Sequence, residues 1–449
     1  MTKQQRLILL VAILASFVTF LDGSVVGVAL PSISAQLGGG LLIQQWVNDA
    51  YLITLGTLIL AAGSLSDIFG RKKILVFGLY GFLITSILCA ISPTGEFLII
   101  SRALQGIAGA LLVPSSLAMI ISAFSGPAQS KAIGTWTAWT GIAFVIGPLI
   151  GGLMVDLISW RLVFAINIIP IAVALILIRM LDIKVDHATK RRVDILGIAL
   201  GIVALGGIVY ALIEQGHYGW NSPLIFGTFI AGIASMAAFL WHERRTPQPM
   251  LPLDLFKTQN FSVGNVATFF IYGALALQGF LLVIFLQQTA HYTAVQAGLS
   301  SVPITIIMFL LSSRFGALSG RFGPRLFMAL GPIVAGLGVL LLLRVGIPAN
   351  YWTGLLPGIV LFGLGLSITV APLTSAILGS ISAAQAGIGS AINNAVSRIA
   401  GLLAIAAIGI FIGTSVSLDG FHLGLVICAG LLIFGGIISA VGIRNEVRH

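Results

Sequence analysis

The sequence contains little charge and little cysteine. Charged residues make up 8% of its 449 residues, against about 25% in a typical soluble domain. Its two cysteines, Cys89 and Cys428, each lie inside an apolar run, so they form neither a disulfide framework nor a metal site. The phosphate-binding loop Gly-x-x-x-x-Gly-Lys-[Ser/Thr] is absent, which argues against an ATP-driven machine.

Apolar residues take the place of the missing charge. They make up 58% of the chain, and the mean hydropathy is +1.10. A helix that crosses a bilayer needs about 20 apolar residues. Fourteen runs of roughly that length predict an all-α polytopic membrane protein, at about 7–31, 48–66, 74–92, 97–120, 132–154, 161–181, 194–213, 222–241, 261–287, 297–315, 326–344, 354–380, 386–413 and 421–442.

The net charge of +10 indicates topology and not a nucleic-acid partner. Basic residues crowd the segments at one side of the predicted helices, whereas Arg161 and Arg344 are the two at the other side. This bias places both termini in the cytoplasm of a plasma (inner) membrane protein. The first run is too long for a signal peptide, and thirteen more runs follow it, so it stays as a helix.

Two matched turns predict two related halves. The segment 63–73 shares five residues in register with the segment 316–325. We therefore expect a six-helix bundle over 1–182, two inserted helices with linkers over 183–257, and a second six-helix bundle over 258–449. In the first turn, we expect Gly63 and Gly70 to permit tight helix contact and a sharp turn, and Arg71 to hold the loop in the cytoplasm. Asp67 is replaced by Gly320 in the second copy. We hypothesise that Asp67 forms part of a charge-based latch between the two halves, and that Gly63, Asp67, Gly70 and Arg71 belong to a conformational gate.

Asp22 and Arg102 lie at about the same depth in the first and fourth runs. A charge at that depth costs several kcal/mol unless it is paired. If the two helices face each other, each charge offsets the burial cost of the other. Arg102 would keep its charge, while Asp22 exchanges protons near physiological pH. The alternatives are a carboxylate that only bonds neighbouring helices and an arginine that is only a structural pin.

Two further features of the first half are open to two readings. Asp49 either takes part in proton coupling or is solvated near the outer rim of the membrane. Gly147, Pro148, Gly151 and Gly152 allow close helix approach and a bend. That group is either a conformational gate or ordinary close packing.

The second half of the sequence has polar residues within its apolar runs but no acidic counterpart of Asp22. Gln278 takes the place of Asp22, and Asn393, Asn394 and Arg398 lie in the thirteenth run. Arg398 near the midplane pairs across a cavity, bonds backbone carbonyls, meets an anionic group of a substrate, or is structural. The candidate substrate cavity comprises Phe20, Gln105, Gln278, Asn393, Asn394 and Arg398.

Six motifs in order resemble one family across essentially the whole chain. They are the turn 63–73, Leu21-Asp22 through Pro31, Arg102 to Gly106, Gly147-Pro148 with Gly151-Gly152, Trp160-Arg161 with Asn167, and Pro249 to Phe256. Together they resemble the fourteen-helix drug:proton antiporter branch of the major facilitator superfamily. The resemblance implies two six-helix bundles rocking around a central cavity, with two extra helices between them. It also implies proton coupling at Asp22 and Arg102 and conformational exchange at Gly147–Gly152.

The resemblance also has limits. Some cation exporters of this branch use an acidic residue at the position of Asp49. Others carry acidic residues on the thirteenth helix, where this chain has Asn393, Asn394 and Arg398. That departure argues against a strong preference for cations.

These features predict a proton-driven exporter of amphipathic small molecules. It would be a monomer in the bilayer, would not be an enzyme, and would use the proton gradient in place of a cofactor or metal. An exporter dedicated to one metabolite, peptide or lipid has the same fold and coupling. A channel or a non-transporting receptor is the remaining class.

Overall fold

The computed structural model describes residues 1–181, 193–382, 385–413 and 415–445, except the side chains at 67, 127, 130, 144 and 145. Within these ranges, fourteen helices are long and apolar enough to cross a membrane, as the apolar runs predicted. We number them α1 Lys3–Leu37, α2 Gly40–Phe69, α3 Arg71–Ala90, α4 Gly95–Ala123, α5 Gly126–Leu157, α6 Leu162–Arg179, α7 Ile195–Tyr218, α8 Pro223–Arg245, α9 Gln259–Thr289, α10 Ala294–Phe322, α11 Pro324–Arg344, α12 Tyr351–Gly379, α13 Ala386–Ile412 and α14 Leu418–Gly442.

The first helix is longer than its apolar run. Thr2 and Gln5 form a capping box at its start, which satisfies two backbone N–H groups that otherwise lack partners. It continues through Pro31 and ends at Gly38, and α2 begins immediately after Gly39. The segment between the first two apolar runs is therefore helical except at Gly38 and Gly39. Two glycines with φ near 83° are enough to reverse the chain, since glycine adopts positive φ without steric cost.

The two matched turns have the same backbone conformation, with a glycine at positive φ. Gly70 separates α2 from α3 with φ 94°, and Gly323 separates α10 from α11 with φ 85°. In each case one residue both ends a helix and precedes the next. A side chain is strained at such φ values, which explains glycine at this register position in both copies.

The first compact unit comprises residues 1–208, 230–250 and 293–295. Its most extensive helix pairings are α2 with α4, α3 with α4, and α1 with α5. Glycine permits one of these approaches, because a Cβ on Gly106 would overlap the backbone oxygen of Tyr51 and the hydroxyl of Thr54. Tyr51, Phe82 and Leu112 belong to the apolar core beside this contact.

The second compact unit comprises residues 209–229, 251–292 and 296–449. Its helices pair most extensively as α11 with α12 and α11 with α14. Residues of α7 and α8 are divided between the two units. The division into parts at residues 182 and 257 stays a prediction.

Candidate functional site

A buried ion pair connects α1 and α4. Nη1 of Arg102 lies 2.6 Å from Oδ2 of Asp22, and the two residues are 1% and 0% exposed. The helices α1 and α4 thus present these side chains to each other inside the first unit. Their opposite charges offset much of the cost of burying each of them.

Polar side chains complete the hydrogen bonding of the Asp22 carboxylate. Its second oxygen, Oδ1, accepts hydrogen bonds from Nδ2 of Asn167 at 2.9 Å and from Nε2 of Gln105 at 3.1 Å. The Gln105 amide also donates to the hydroxyl of Ser86 at 3.0 Å. All four residues are fully buried. Both oxygens of the carboxylate are therefore satisfied in the charged form.

The Arg102 guanidinium has partners besides Asp22. Its Nε donates to the backbone oxygen of Val47 at 3.1 Å, and its Nη1 also donates to Oε1 of Gln105 at 2.6 Å. The guanidinium carbon lies 4.2 Å from the centre of the Tyr51 ring, within the range of a cation–π interaction. These contacts would still hold the positive charge if Asp22 became neutral.

Asp22, Arg102 and Gln105 are all predicted site residues, but Gln105 was expected in a substrate cavity. The structure places Gln105 inside the charge cluster, where it bridges the acid and the base. It also adds Asn167 and Ser86, which had no predicted role. Asn167 belongs to the motif that includes Trp160 and Arg161. The sequence signal for a role of Asn167 at this site is that a polar amide lies within an apolar run.

Asp49 is buried and not solvated at a membrane surface. Its exposure is 0%, and Oδ1 accepts a hydrogen bond from Nδ2 of the adjacent Asn48 at 2.8 Å. Among the described residues, Oδ2 has no hydrogen-bond partner. Within the described part of the chain, no cation pairs with Asp49 as Arg102 pairs with Asp22.

Three glycines of α5, Gly147, Gly151 and Gly152, each lie in close contact with another segment of the chain. A Cβ on Gly147 would overlap the Ser24 hydroxyl, and one on Gly151 would lie 2.6 Å from a Val25 side-chain carbon. A Cβ on Gly152 would lie 2.7 Å from the Cα of Val295. Pro148, between them, lies inside the helix. These residues therefore permit close approach, and their role as a gate stays a prediction.

One acidic residue beyond these glycines was missed. The Asp156 carboxylate accepts hydrogen bonds from the backbone N–H groups of Ala294 and Val295, at 2.9 and 2.8 Å. These two N–H groups begin α10 and otherwise lack intrahelical partners. All three residues belong to the first unit. Since the contact spans 138 residues of sequence, no local pattern predicts it.

The turn between α2 and α3 is held by its basic residues. Nη1 of Arg71 donates to the backbone oxygen of Ala118 at 3.3 Å. A Cβ on Gly63 or Gly70 would meet nothing within 4 Å, so the expected tight helix contact at these two glycines is wrong. Gly70 is required for its φ and not for space. The Asp67 side chain lies outside the described residues, and the charge latch stays a hypothesis.

The remaining candidate residues of the substrate cavity lie in separate surroundings, four of them in the second unit and Phe20 in the first. Nδ2 of Asn393 donates to Thr268 at 2.9 Å and to Asn265 at 3.2 Å, whereas Asn394 is exposed and donates to the Ser390 backbone. Gln278 is 3% exposed, and among the described residues its amide nitrogen has no partner. Arg398 is half-buried. Phe20, in the first unit, is half-buried as well.

Among the described residues, fourteen apolar helices and a buried charge cluster in the first unit are typical of an integral membrane protein of the secondary transporter class. The model of the Major Facilitator Superfamily matches residues 12–194 and again 183–405. The chain belongs to that superfamily.

The comparisons also place it beside exporters. The chain is 33% identical over 417 residues to the multidrug resistance protein Stp of Mycobacterium tuberculosis, covering 91% of this chain and 76% of that protein. It is 33% identical over 408 residues to the puromycin resistance protein pur8 of Streptomyces alboniger, covering 89% and 80%. A solved peptide transporter of the POT family aligns with a TM-score of 0.71 at 14% identity, covering 100% of this chain and 99% of that one. The chain is a secondary transporter of the drug-exporter group, as its motifs predicted.

Proposed function

We propose that the protein is a proton-coupled antiporter that exports amphipathic small molecules by alternating access. It would work in the plasma membrane with both termini in the cytoplasm, use no cofactor and catalyse no chemical conversion. The observation that carries the proposal is the fully buried Asp22–Arg102 pair. A charged pair within apolar helices is costly to keep, and a proton is a natural means of opening it.

The geometry supports a specific coupling step. A proton on Asp22 removes its attraction to Arg102, while the guanidinium keeps the Val47 oxygen, Gln105 and the Tyr51 ring. Protonation of Asp22 therefore does not leave the buried Arg102 guanidinium without partners. Because both partners are at most 1% exposed, a proton reaches Asp22 only after the helices rearrange. Proton loading is thereby tied to a change of conformation.

The Asp22→Asn variant tests this step. Asparagine keeps the shape of the side chain but cannot be charged at any pH. We expect proteoliposomes containing the variant to show no puromycin-driven proton movement across an imposed pH gradient, measured with a trapped pH-sensitive dye. Folding should persist, because Arg102 retains its other partners.

The matched control is Asp254→Asn. Asp254 is 85% exposed and pairs with Lys257 outside the membrane helices. This variant loses the same charge and should transport like the natural protein. Full coupled transport by Asp22→Asn would refute the assignment of Asp22. Loss of transport in both variants would show that the effect is not specific to the buried pair.

Asp49 is proposed as a second proton site. An ionised carboxylate without a cation is far more costly to bury than a neutral one, so this geometry suits a carboxyl group that carries its proton. Asp22 and Asp49 would then hold different protonation states in the same conformation. We expect Asp49→Asn to fold normally and to lower the number of protons moved per puromycin. An unchanged ratio would leave Asp49 a structural residue.

The residues of α13 bear on the charge of the substrates that the protein would export. This helix has Asn393, Asn394 and Arg398 and no acidic residue among its described residues, which supports substrates without strong positive charge. In inverted vesicles with an imposed pH gradient, we expect uncharged amphipathic compounds to be transported better than ethidium. Transport of a single compound from a broad panel would favour a dedicated exporter.

A further inference from the structure

A polar cavity lies at one end of the helices of the second unit. Its volume is about 360 Å³, within the usual size range of small-ligand sites. The start of α9, the end of α10, the start of α11, the end of α12 and the chain just after α14 converge there. Its lining residues are Asn260, Ser319, Gly320, Arg321, Phe322, Gly323, Pro324, Ser375, Ala376, Gly379, Arg444 and Asn445.

The wall of this cavity is fixed by two asparagines. Asn260, 7% exposed, bonds both the backbone N–H and the backbone oxygen of Arg444 at 2.9 Å. Asn445 accepts a hydrogen bond from the backbone N–H of Arg325 at 3.1 Å. Its amide occupies the space that a Cβ on Gly323 would need. The chain after α14 is therefore clamped over the turn between α10 and α11, which positions Arg444 at the cavity.

The charge of the lining has one sign. Arg321 and Arg444 both contribute, and the described lining includes no carboxylate. Among the described residues neither arginine has an ion-pair partner closer than 4 Å; Glu446, next after Asn445, lies outside them. Arginines at helix C-terminal ends can also complement the helix dipole. Complementing the helix dipole would not require a polar cavity between Arg321 and Arg444. Nor would it require the hydrogen bonds by which Asn260 holds the Arg444 backbone.

We propose that this cavity binds a phosphate ester, presented by the headgroup of an anionic phospholipid. Two guanidinium groups suit phosphate oxygens because each offers several donors in a planar fork. Basic pockets between membrane helices on the cytoplasmic side are suited to anionic lipid headgroups. The helix ends that form the cavity lie where such headgroups lie. The proposal is independent of proton coupling but uses the proposed orientation to place the site in the inner leaflet.

The first half lacks the same site. In the matched turn, Ile68 stands at the position of Arg321, and Arg71 stands at that of Pro324. Arg71 bonds the backbone oxygen of Ala118. The phosphate site would therefore be a property of the second half alone, acquired where the two copies of the turn diverged.

The test measures lipid retained by the full-length protein. The protein is reconstituted in nanodiscs of phosphatidylcholine with phosphatidylglycerol, extracted, and examined by native mass spectrometry. We expect retained phosphatidylglycerol in the natural protein and about tenfold weaker retention when Arg321→Gln and Arg444→Gln are combined. The control is Arg325→Gln, which removes one positive charge from the same surface and is compared with the single variants Arg321→Gln and Arg444→Gln as well. Arg325 is outside the lining and donates to the Ala440 backbone at 2.6 Å.

A second arm separates lipid from a soluble source of the same chemistry. Glycerol 3-phosphate is titrated against the protein in phosphatidylcholine alone, with thermal unfolding as the readout. Stabilisation that disappears in the double variant would support the site and identify a soluble phosphate ester as its ligand. Equal lipid retention in the double variant and in Arg325→Gln, with no effect of glycerol 3-phosphate, would overturn the proposal.

A neutral variant separates filling of the cavity from loss of charge. Ser375→Tyr places a bulky group in the lining and leaves both arginines in place. We expect it to lower phosphatidylglycerol retention as the double variant does, with an unchanged elution volume and helix content. Retention equal to that of the natural protein would show that the lipid binds elsewhere.

Discussion

At the scale of single residues, the members of the charge cluster share the amide of Gln105 as a hydrogen-bond partner. Gln105 donates to Asp22 and to Ser86 and accepts from Arg102, so one amide contacts both members of the ion pair. Low polarity strengthens each of these bonds and also makes a lost partner costly. The cluster therefore behaves as a unit, and its neutral members matter as much as its charged ones.

Gln105→Leu tests that dependence. Leucine has a similar size but leaves Asp22, Arg102 and Ser86 each short of one bond inside the membrane. Leaving a buried polar group unsatisfied costs about 1–3 kcal/mol, so the thermal unfolding temperature of the detergent-solubilised protein should fall clearly. We expect proton-coupled transport of puromycin to fall with it.

Gln259→Leu serves as the comparison. Gln259 is exposed and donates a single bond to the Gly442 backbone at 2.8 Å. Its replacement should change unfolding and transport little. Equal unfolding temperatures for the two variants would mean that Gln105 is not integral to the cluster.

At the scale of helices, glycines set the spacing in both units. In the second unit, α11 and α12 meet along Gly331, Gly338, Gly358 and Gly365. A Cβ on Gly365 would lie 2.6 Å from the Cα of Ala335, and one on Gly358 would lie 2.8 Å from the Gly338 oxygen. Small residues let helix backbones approach in lipid, where the hydrophobic effect does not drive helices together. This contact is therefore held by close packing.

Gly365→Ala should separate these helices. Added volume in a tightly packed contact costs about 1–3 kcal/mol, and the clash here is with backbone, which cannot rotate away. We expect a lower unfolding temperature, measured by thermal denaturation in detergent. Gly430→Ala in α14 is the control, since a Cβ there meets nothing within 4 Å. That variant should be neutral or slightly more stable, because alanine favours helix over glycine. A lower unfolding temperature for Gly430→Ala than for Gly365→Ala would contradict this account.

At the scale of the whole molecule, the length of the apolar runs predicted the helices. The spacing of residues along the sequence did not predict which residues of different helices contact each other. Every apolar run of about 20 residues became a helix, because the bilayer leaves few other ways to satisfy the backbone. The pairing of Asp22 with Arg102 followed from equal depth and opposite charge. Asn167 bonds Asp22 across 145 residues, and the burial of Asp49 depends on neighbouring helices. Neither has a local signature, so neither followed from the sequence.

Orientation is the remaining property of the whole molecule, and the two natural cysteines make it testable. Cys89 and Cys428 are both 0% exposed, so a membrane-impermeant maleimide should label the natural protein weakly. Lys3→Cys places one thiol on the exposed start of α1, and Trp352→Cys places one in the first turn of α12, at a residue that is 73% exposed. Basic residues concentrate at the helix ends on the side of Lys3, and such ends stay in the cytoplasm. We therefore expect intact cells to show labelling of Trp352→Cys, and of Lys3→Cys after permeabilisation. The opposite pattern would invert the protein and move the proposed phosphate site to the outer leaflet.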